Sequence, residues 1–159
     1  MTWMEQPDTR SCVLLRLGER RFALSADQVA ELAAPSRIFR FAQRTPEIEG
    51  VILRRGRVVP VCDIAENLLG KKLGVRRFYL IAMRRQAEAL DWVALPVSGD
   101  CELINAELTP AAPSDSPHVA GWLSHSGEVI EVLNLNALIP FAEPHPPQVS
   151  SAQIPEARA

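Results

Sequence analysis

Cysteine is scarce in this sequence: three residues in 159, Cys12, Cys62 and Cys101, far apart and without a C-x-x-C pair. That excludes a disulfide framework and a paired-cysteine metal site, and it fits idle thiols in a reducing cytoplasm. No apolar run approaches the roughly 18 residues that a spanning helix needs, so direct membrane insertion is not expected. The start, MTWMEQPDTR, lacks a basic stretch followed by an apolar one and does not read as a secretory signal. Aromatic residues make up only 6% of the chain, and there are three histidines. No G-x-G-x-x-G is present. Gly70-Lys71-Lys72 resembles the end of a phosphate loop, but Ala65 stands where the first glycine belongs and no Ser or Thr follows the lysine.

Catalytic groupings are equally thin. His118 and His125 lie seven residues apart, which is not a helical ligand spacing, and His145 falls near the end of the chain. Asp115 and Ser124 complete the residue types of a triad, but no strained nucleophile turn surrounds the serine. The expectation is a protein with no enzyme activity, cofactor or metal.

What is present is a soluble, strand-forming sequence. Hydrophobic residues account for 47% and charged residues for 23%, and a chain of this length buries about 70% of its unfolded surface without covalent help. Net charge is −2. It is unevenly spread: residues 1–85 hold 16 Lys and Arg against 9 Asp and Glu, and residues 86–159 hold 1 against 10. Halves of +7 and −9 suggest surfaces with different partners.

Residues 1–11 read as a flexible N-terminus, and 141–159 as a disordered proline-rich tail: five of the thirteen prolines fall at or beyond Pro140. Between them, four hairpins follow from short apolar runs joined by polar, mostly glycine-containing turns. They are Val13–Leu17 with Phe22–Leu24, Val51–Leu53 with Val58–Cys62, Phe78–Met83 with Trp92–Val97, and Trp122–Leu123 with Val129–Leu133. Ser25-Ala26-Asp27-Gln28 has capping-box spacing and predicts a short helix through about Leu32. Asp63 to Glu66 predicts another, ended by Gly70. Pro96 interrupts its strand, which predicts a sheet edge there.

An internal repeat organises these pieces. Shifting the chain by 71 residues superposes 22–68 on 93–139. Ala23 and Leu24 meet Ala94 and Leu95, and Glu31-Leu32 meets Glu102-Leu103. Pro46, Gly50, Gly56, Val58 and Val61 meet Pro117, Gly121, Gly127, Val129 and Val132. Asp63 and Asn134 share one position and read as structural caps, with Gly56, Gly121 and Gly127 as turn residues. The fold class is mainly β with short helices: small barrels or a sandwich, built from two copies of one small unit. The first subdomain is expected over about 12–75 and the second over 76–140.

Arg54-Arg55-x-Arg57, Lys71-Lys72 and Arg76-Arg77 form a basic cluster, with Phe22, Phe39, Phe41, Phe78 and Tyr79 as possible stacking platforms. Small barrels bind single strands in this way. The acidic isoelectric point of about 5.9 opposes that reading, and no nucleic acid is expected.

Over about 12–140 the sequence resembles the chemotaxis coupling protein (CheW) family. The resemblance lies in Val13 to Gly18 with Phe22-Ala23-Leu24, in Val29-Ala30-Glu31, and in Gly121 to Leu138. Its most specific part is Pro46-x-Ile48-x-Gly50-Val51-Ile52-x-x-Arg55-Gly56-x-Val58-Val59-Pro60-Val61-x-Asp63-Ile64. The resemblance implies a non-catalytic adaptor, folded as two small five-stranded SH3-like barrels sharing a core and bridging the cytoplasmic tip of a chemoreceptor to a CheA-type histidine kinase. It implies receptor contact in the groove between barrels, near Val29, Glu31, Gly50 and Arg55, with Arg54 beside them, and kinase contact through apolar patches at the barrel ends. Leu53 and Arg54 replace the family's usual Asn-Leu, Ser98 stands where an Asp is usual, and Asn134 replaces a common Asp. These departures suggest a divergent member serving a specialised pathway.

Overall fold

The computed structural model describes residues 9–40, 48–86 and 89–139. Residues 1–8 and 140–159, and with them most of the expected flexible start and the proline-rich tail, lie outside the described residues, as do Phe41 and Pro46.

Ten strands and two short helices follow one another: β1 (Thr9–Leu17), β2 (Arg20–Ser25), β3 (Val29–Ala33), β4 (Gly50–Arg54), β5 (Arg57–Val61), α1 (Ala65–Leu69), β6 (Phe78–Gln86), β7 (Ala89–Val97), β8 (Glu102–Pro110), β9 (Val119–His125), β10 (Glu128–Leu133) and α2 (Leu135–Leu138). They form two five-stranded units. One is a closed barrel, β1-β2-β10-β9-β8; the other is a sheet of order β3-β6-β7-β5-β4. A single bridge, Phe39↔Val51, links the chain beyond β3 to β4 at the sheet's far end.

The two units do not divide the chain at 75/76. The opening hairpin β1–β2 of the first repeat joins β8–β10 of the second, and the second repeat's hairpin β6–β7 joins β3–β5 of the first. The exchange has matching registers: Val132 pairs in parallel with Ala23, and Val61 with Ala94. These are the same two repeat positions with the copies interchanged. Sequential subdomains fail because each hairpin is buried on both faces and must sit between two layers.

That double burial is visible residue by residue. Leu15, Leu17, Phe22 and Leu24 enter a central core, and so do Leu80, Ala82, Val93, Leu95 and Val97. The alternate residues Cys12, Leu14 and Ala23 fill the barrel. Tyr79, Ile81 and Ala94 pack in the second sheet. Side chains alternate faces along a strand, so a strand buried on both sides reads as a continuous apolar run. The central core is completed by Ile64, Ala65 and Leu73 from the first repeat and by Leu133, Leu135 and Leu138 from the second.

Three further sequence expectations need correction. Strand β1 begins at Thr9, inside the stretch expected to be flexible. The helix expected from Ser25 to about Leu32 is a single 3-10 turn, Ala26–Gln28, and Ser25 makes no side-chain cap. Val29–Ala33 is a strand instead, because it pairs with β6 through Val29↔Ala82 and Ala33↔Tyr79. Pro96 does not mark an edge: β7 lies between β6 and β5. The proline is tolerated because β5 meets β7 at one pair, Val61↔Ala94, so the β5 ladder does not extend to Pro96. The second α-helix prediction agrees better: α1 ends at Gly70, in the left-handed conformation with φ 84°.

Candidate partner-binding site

The tight turn between β4 and β5 is built by Arg54, Arg55, Gly56 and Arg57, with Arg54 and Arg57 as the closing pair. Arg55 and Gly56 both have positive φ, 52° and 76°, the pattern of a two-residue turn whose twist suits a hairpin. This turn brings two guanidinium groups over Glu31 on β3. Arg54 donates Nε at 3.0 Å and Nη2 at 2.8 Å to the two Glu31 oxygens. Arg55 donates to the same two oxygens at 3.2 and 3.3 Å. Held this way, the Glu31 carboxyl is lowered to about 2, first by the Arg54 hydrogen bonds and then by those of Arg55. The same contact raises Arg54 further into its charged range.

The cluster therefore clasps β3 and β4, the two ends of the sheet. It leaves one cation facing outward: the Arg55 side chain is 72% exposed, against 36% for Arg54 and 20% for Glu31. Val29 is half-buried against the central core, two residues from Glu31. Gly50 does not join the cluster. It lies at the opposite end of β4, about 13 Å from Arg54 at the rise of a strand, and it is buried. A Cβ there would stand 2.6 Å from Ile38 Cγ2 and 2.8 Å from the Phe39 carbonyl oxygen. Its lack of a side chain lets the 38–40 segment close on β4.

Sequence reading missed the apolar half of this surface. Leu53 and Val58 face each other across β4 and β5 and are 58% and 63% exposed. Their signal was the alternation itself: in β4–β5 the inward set is Ile52, Val59 and Val61, which leaves Leu53 and Val58 outward. Arg57 stacks its guanidinium 4.7 Å from the Trp92 ring.

A second network was also missed. Arg76 donates to both oxygens of Glu49, at 2.7 and 2.8 Å, and to Asp63 Oδ2 at 2.7 Å. The Asp63 carboxylate also accepts from the backbone of Ala65, at 3.0 Å, and of Leu73, at 2.9 Å. It thus caps α1 and pins the loop after it. Glu49 is lowered from the usual carboxylate range chiefly by Arg76, which is itself raised by Glu49. At the matching position of the second repeat, Asn134 Oδ1 accepts from the backbone of Asn136 and caps α2. Gly121 is confined as Gly50 is: a Cβ would stand 2.8 Å from the Thr109 carbonyl oxygen.

The basic cluster and its candidate stacking rings are only partly available on the surface, although Phe39 is 40% exposed. Arg54, Arg55 and Arg76 spend their charge on carboxylates, while Phe22 and Tyr79 are buried. Stacking needs exposed rings beside free cations. Among the described residues no three His, Cys, Asp or Glu side chains gather as metal ligands, and no helix is long and apolar enough to cross a membrane.

The exchanged pair of five-stranded units and the clasped turn define a mainly β scaffold of two SH3-like parts. The CheW-like domain model matches residues 11–88, so just under half of the chain is similar to a CheW-like domain. The crystal structure of the scaffolding protein TtCheW from Thermoanaerobacter tengcongensis is similar in fold, with a TM-score of 0.68 at 22% identity, covering 87% of this chain and 92% of that one. No curated protein matches the sequence.

Proposed function

We propose that this chain is a non-catalytic adaptor that couples the cytoplasmic tip of a chemoreceptor to a CheA-type histidine kinase, working in the cytoplasm at receptor arrays. The observation that carries the reading is the turn at Arg54–Arg55. It presents a mostly exposed guanidinium, already oriented by Glu31, beside the exposed Leu53–Val58 pair. An apolar pair flanked by arginine is the composition of a protein interface. An oriented arginine loses little side-chain freedom when it meets a receptor carboxylate. In this reading Arg55, Glu31, Arg54 and Val29 serve the receptor. Leu53 and Val58 supply one of the apolar patches for the kinase, and Gly50 acts only by shaping the backbone. Each contact is small, and repeated packing supplies the strength.

The test is affinity capture from native cell extract with wild type and Arg55→Glu side by side. The expected result is a histidine kinase and a chemoreceptor with the wild type, and loss of the receptor with Arg55→Glu at unchanged fold. Equal recovery by both proteins removes Arg55 from the site. Recovery of neither partner by a folded wild type rejects the adaptor reading.

A further inference from the structure

Most ion pairs on this molecule are internally matched, and one concavity is not. It lies where the loop between α1 and β6 meets the β1–β2 turn and the residues after β7, and its volume is about 400 Å³. Arg16, Lys71, Lys72 and Arg77 line it together with Ser98. None of its lining residues is acidic, and none of the four cations has a carboxylate within 4.0 Å among the described residues. Glu19 and Asp100, adjacent in sequence to the lining, do not line it.

We infer that this concavity binds a compact, multiply charged anion of the phosphate class. Three observations support it. First, the neighbouring acids are already committed. Glu49 and Asp63 are held by Arg76, and Glu49 also by Arg40. That group is balanced, two acids against two arginines. Lys72 feels Glu49 at a distance, but among the described residues the lining keeps four positive charges without a carboxylate partner. Second, the loop is anchored before any ligand arrives. The Leu73 amide is bonded to Asp63 and its side chain is buried in the central core, while the Arg77 amide donates to the Val97 carbonyl at 2.9 Å. The lysines thus project from a fixed backbone, which lowers the ordering cost of binding. Third, donors are available. Arg16 uses Nε on the Gly18 carbonyl at 3.3 Å, leaving its terminal nitrogens. Ser98 Oγ accepts from the Gly18 amide at 2.8 Å, leaving its own hydrogen to donate.

The size of the site favours a small ligand over an extended acidic peptide, because four cations converge on one recess. Guanidinium forks match phosphate oxygens, and lysines add point charge. No aromatic ring lines the recess, so the anionic group, not a base, would be recognised. The same chemistry is offered by a free phosphorylated metabolite and by a lipid headgroup.

The experiment is isothermal titration of the full chain with inorganic tripolyphosphate, and flotation with phosphatidylcholine vesicles containing phosphatidylglycerol, in moderate salt. Saturable tripolyphosphate binding, weakened about tenfold or more in Lys71→Gln/Lys72→Gln and unchanged in Arg85→Gln, supports a free phosphate ligand. Vesicle binding alone, lost in the double variant only, supports a headgroup. The inference is overturned by absence of both, by equal loss in Arg85→Gln, or by tighter binding of a single-stranded oligonucleotide than of tripolyphosphate. All substituted side chains are exposed, so the fold is expected to survive, and circular dichroism checks this. Arg55→Glu should leave this binding intact, which separates it from the adaptor reading.

Discussion

At the β4–β5 turn, Arg55 and Gly56 have φ of 52° and 76°; at the β9–β10 turn, 71 residues later, Ser126 and Gly127 have 51° and 79°. The backbone has been copied, and the chemistry on it has not. Above the first turn, Glu31 is gripped by two arginines at 2.8–3.3 Å. Above the second, Glu102 has only His125 among the described residues, at 4.0 Å. Val58 and Val129 are exposed on both copies, but Leu53, which faces Val58, gives way to Ser124, which faces Val129, so only half of the apolar pair is repeated. Turn geometry therefore follows from the repeat, while the charged clasp is particular to the first copy. A surface present once gives an adaptor two distinguishable ends.

The strongest way to sharpen this contrast is at the helix caps. Asp63 holds two backbone amides and Arg76 and is almost wholly buried, whereas Asn134 holds the Asn136 amide. Asp63→Ala is expected to cost about 3 kcal/mol, since it leaves buried donors and a partly buried guanidinium without a partner. Asn134→Ala is expected to cost about 1 kcal/mol, the ordinary value of a cap. Urea denaturation of the two variants measures the difference, and equal losses would mean that the Asp63 network adds nothing beyond capping.

The paired glycines come next. Gly121 faces the Thr109 carbonyl within the β8–β9 ladder of the closed barrel. Gly50 faces the Phe39 carbonyl on a segment joined by a single bridge. A segment held by one bridge gives way more easily than a ladder. Gly121→Ala should therefore cost about 2–3 kcal/mol and Gly50→Ala about 1–2 kcal/mol, both by overpacking. Melting temperatures read the order, and a larger loss at Gly50 would show that the 38–40 segment is the stiffer one.

Much of this fold was legible in the sequence, for reasons tied to particular residues. Double burial of β1–β2 and β6–β7 produced apolar runs such as Val13–Leu15 and Leu80–Met83, and the turn glycines fixed the hairpins. Strand β3 was hidden because Ser25-Ala26-Asp27-Gln28 imitates a capping box, and tertiary pairing with β6 overrides that local signal. Strand β8 was not read from the sequence either, although Glu102-Leu103 is the repeat partner of Glu31-Leu32 on β3. The exchange of hairpins could not be read at all, because a repeat in sequence does not say which copy completes which unit. At the site, Glu31 and Arg55 came from the family-like stretches, while Arg54 stood beside them as a departure from the family pattern. The outward pair Leu53–Val58 needed the register, and Arg76 needed the fold, since its partners are 13 and 27 residues away.

The smallest expected effect, and the most specific, concerns the clasp under acid. Glu31 is held at about 2 in the folded chain against an ordinary 4.5. Its folded value is the lower one, so its pairing stabilises the protein fully above about pH 4.5, and that contribution is lost as pH falls toward 2. The stability gap between wild type and Glu31→Gln should thus be widest near neutral pH and close progressively below pH 4.5. The gap is modest, because Arg55 is mostly exposed and water screens it. Glu102→Gln, whose carboxylate lies 4.0 Å from the His125 ring and is held by no arginine among the described residues, should show little gap near neutral pH. Denaturation midpoints from pH 7 to pH 3 measure both variants. If the two gaps run in parallel, the first copy holds no special clasp, and Arg55 is left without the partner that orients it.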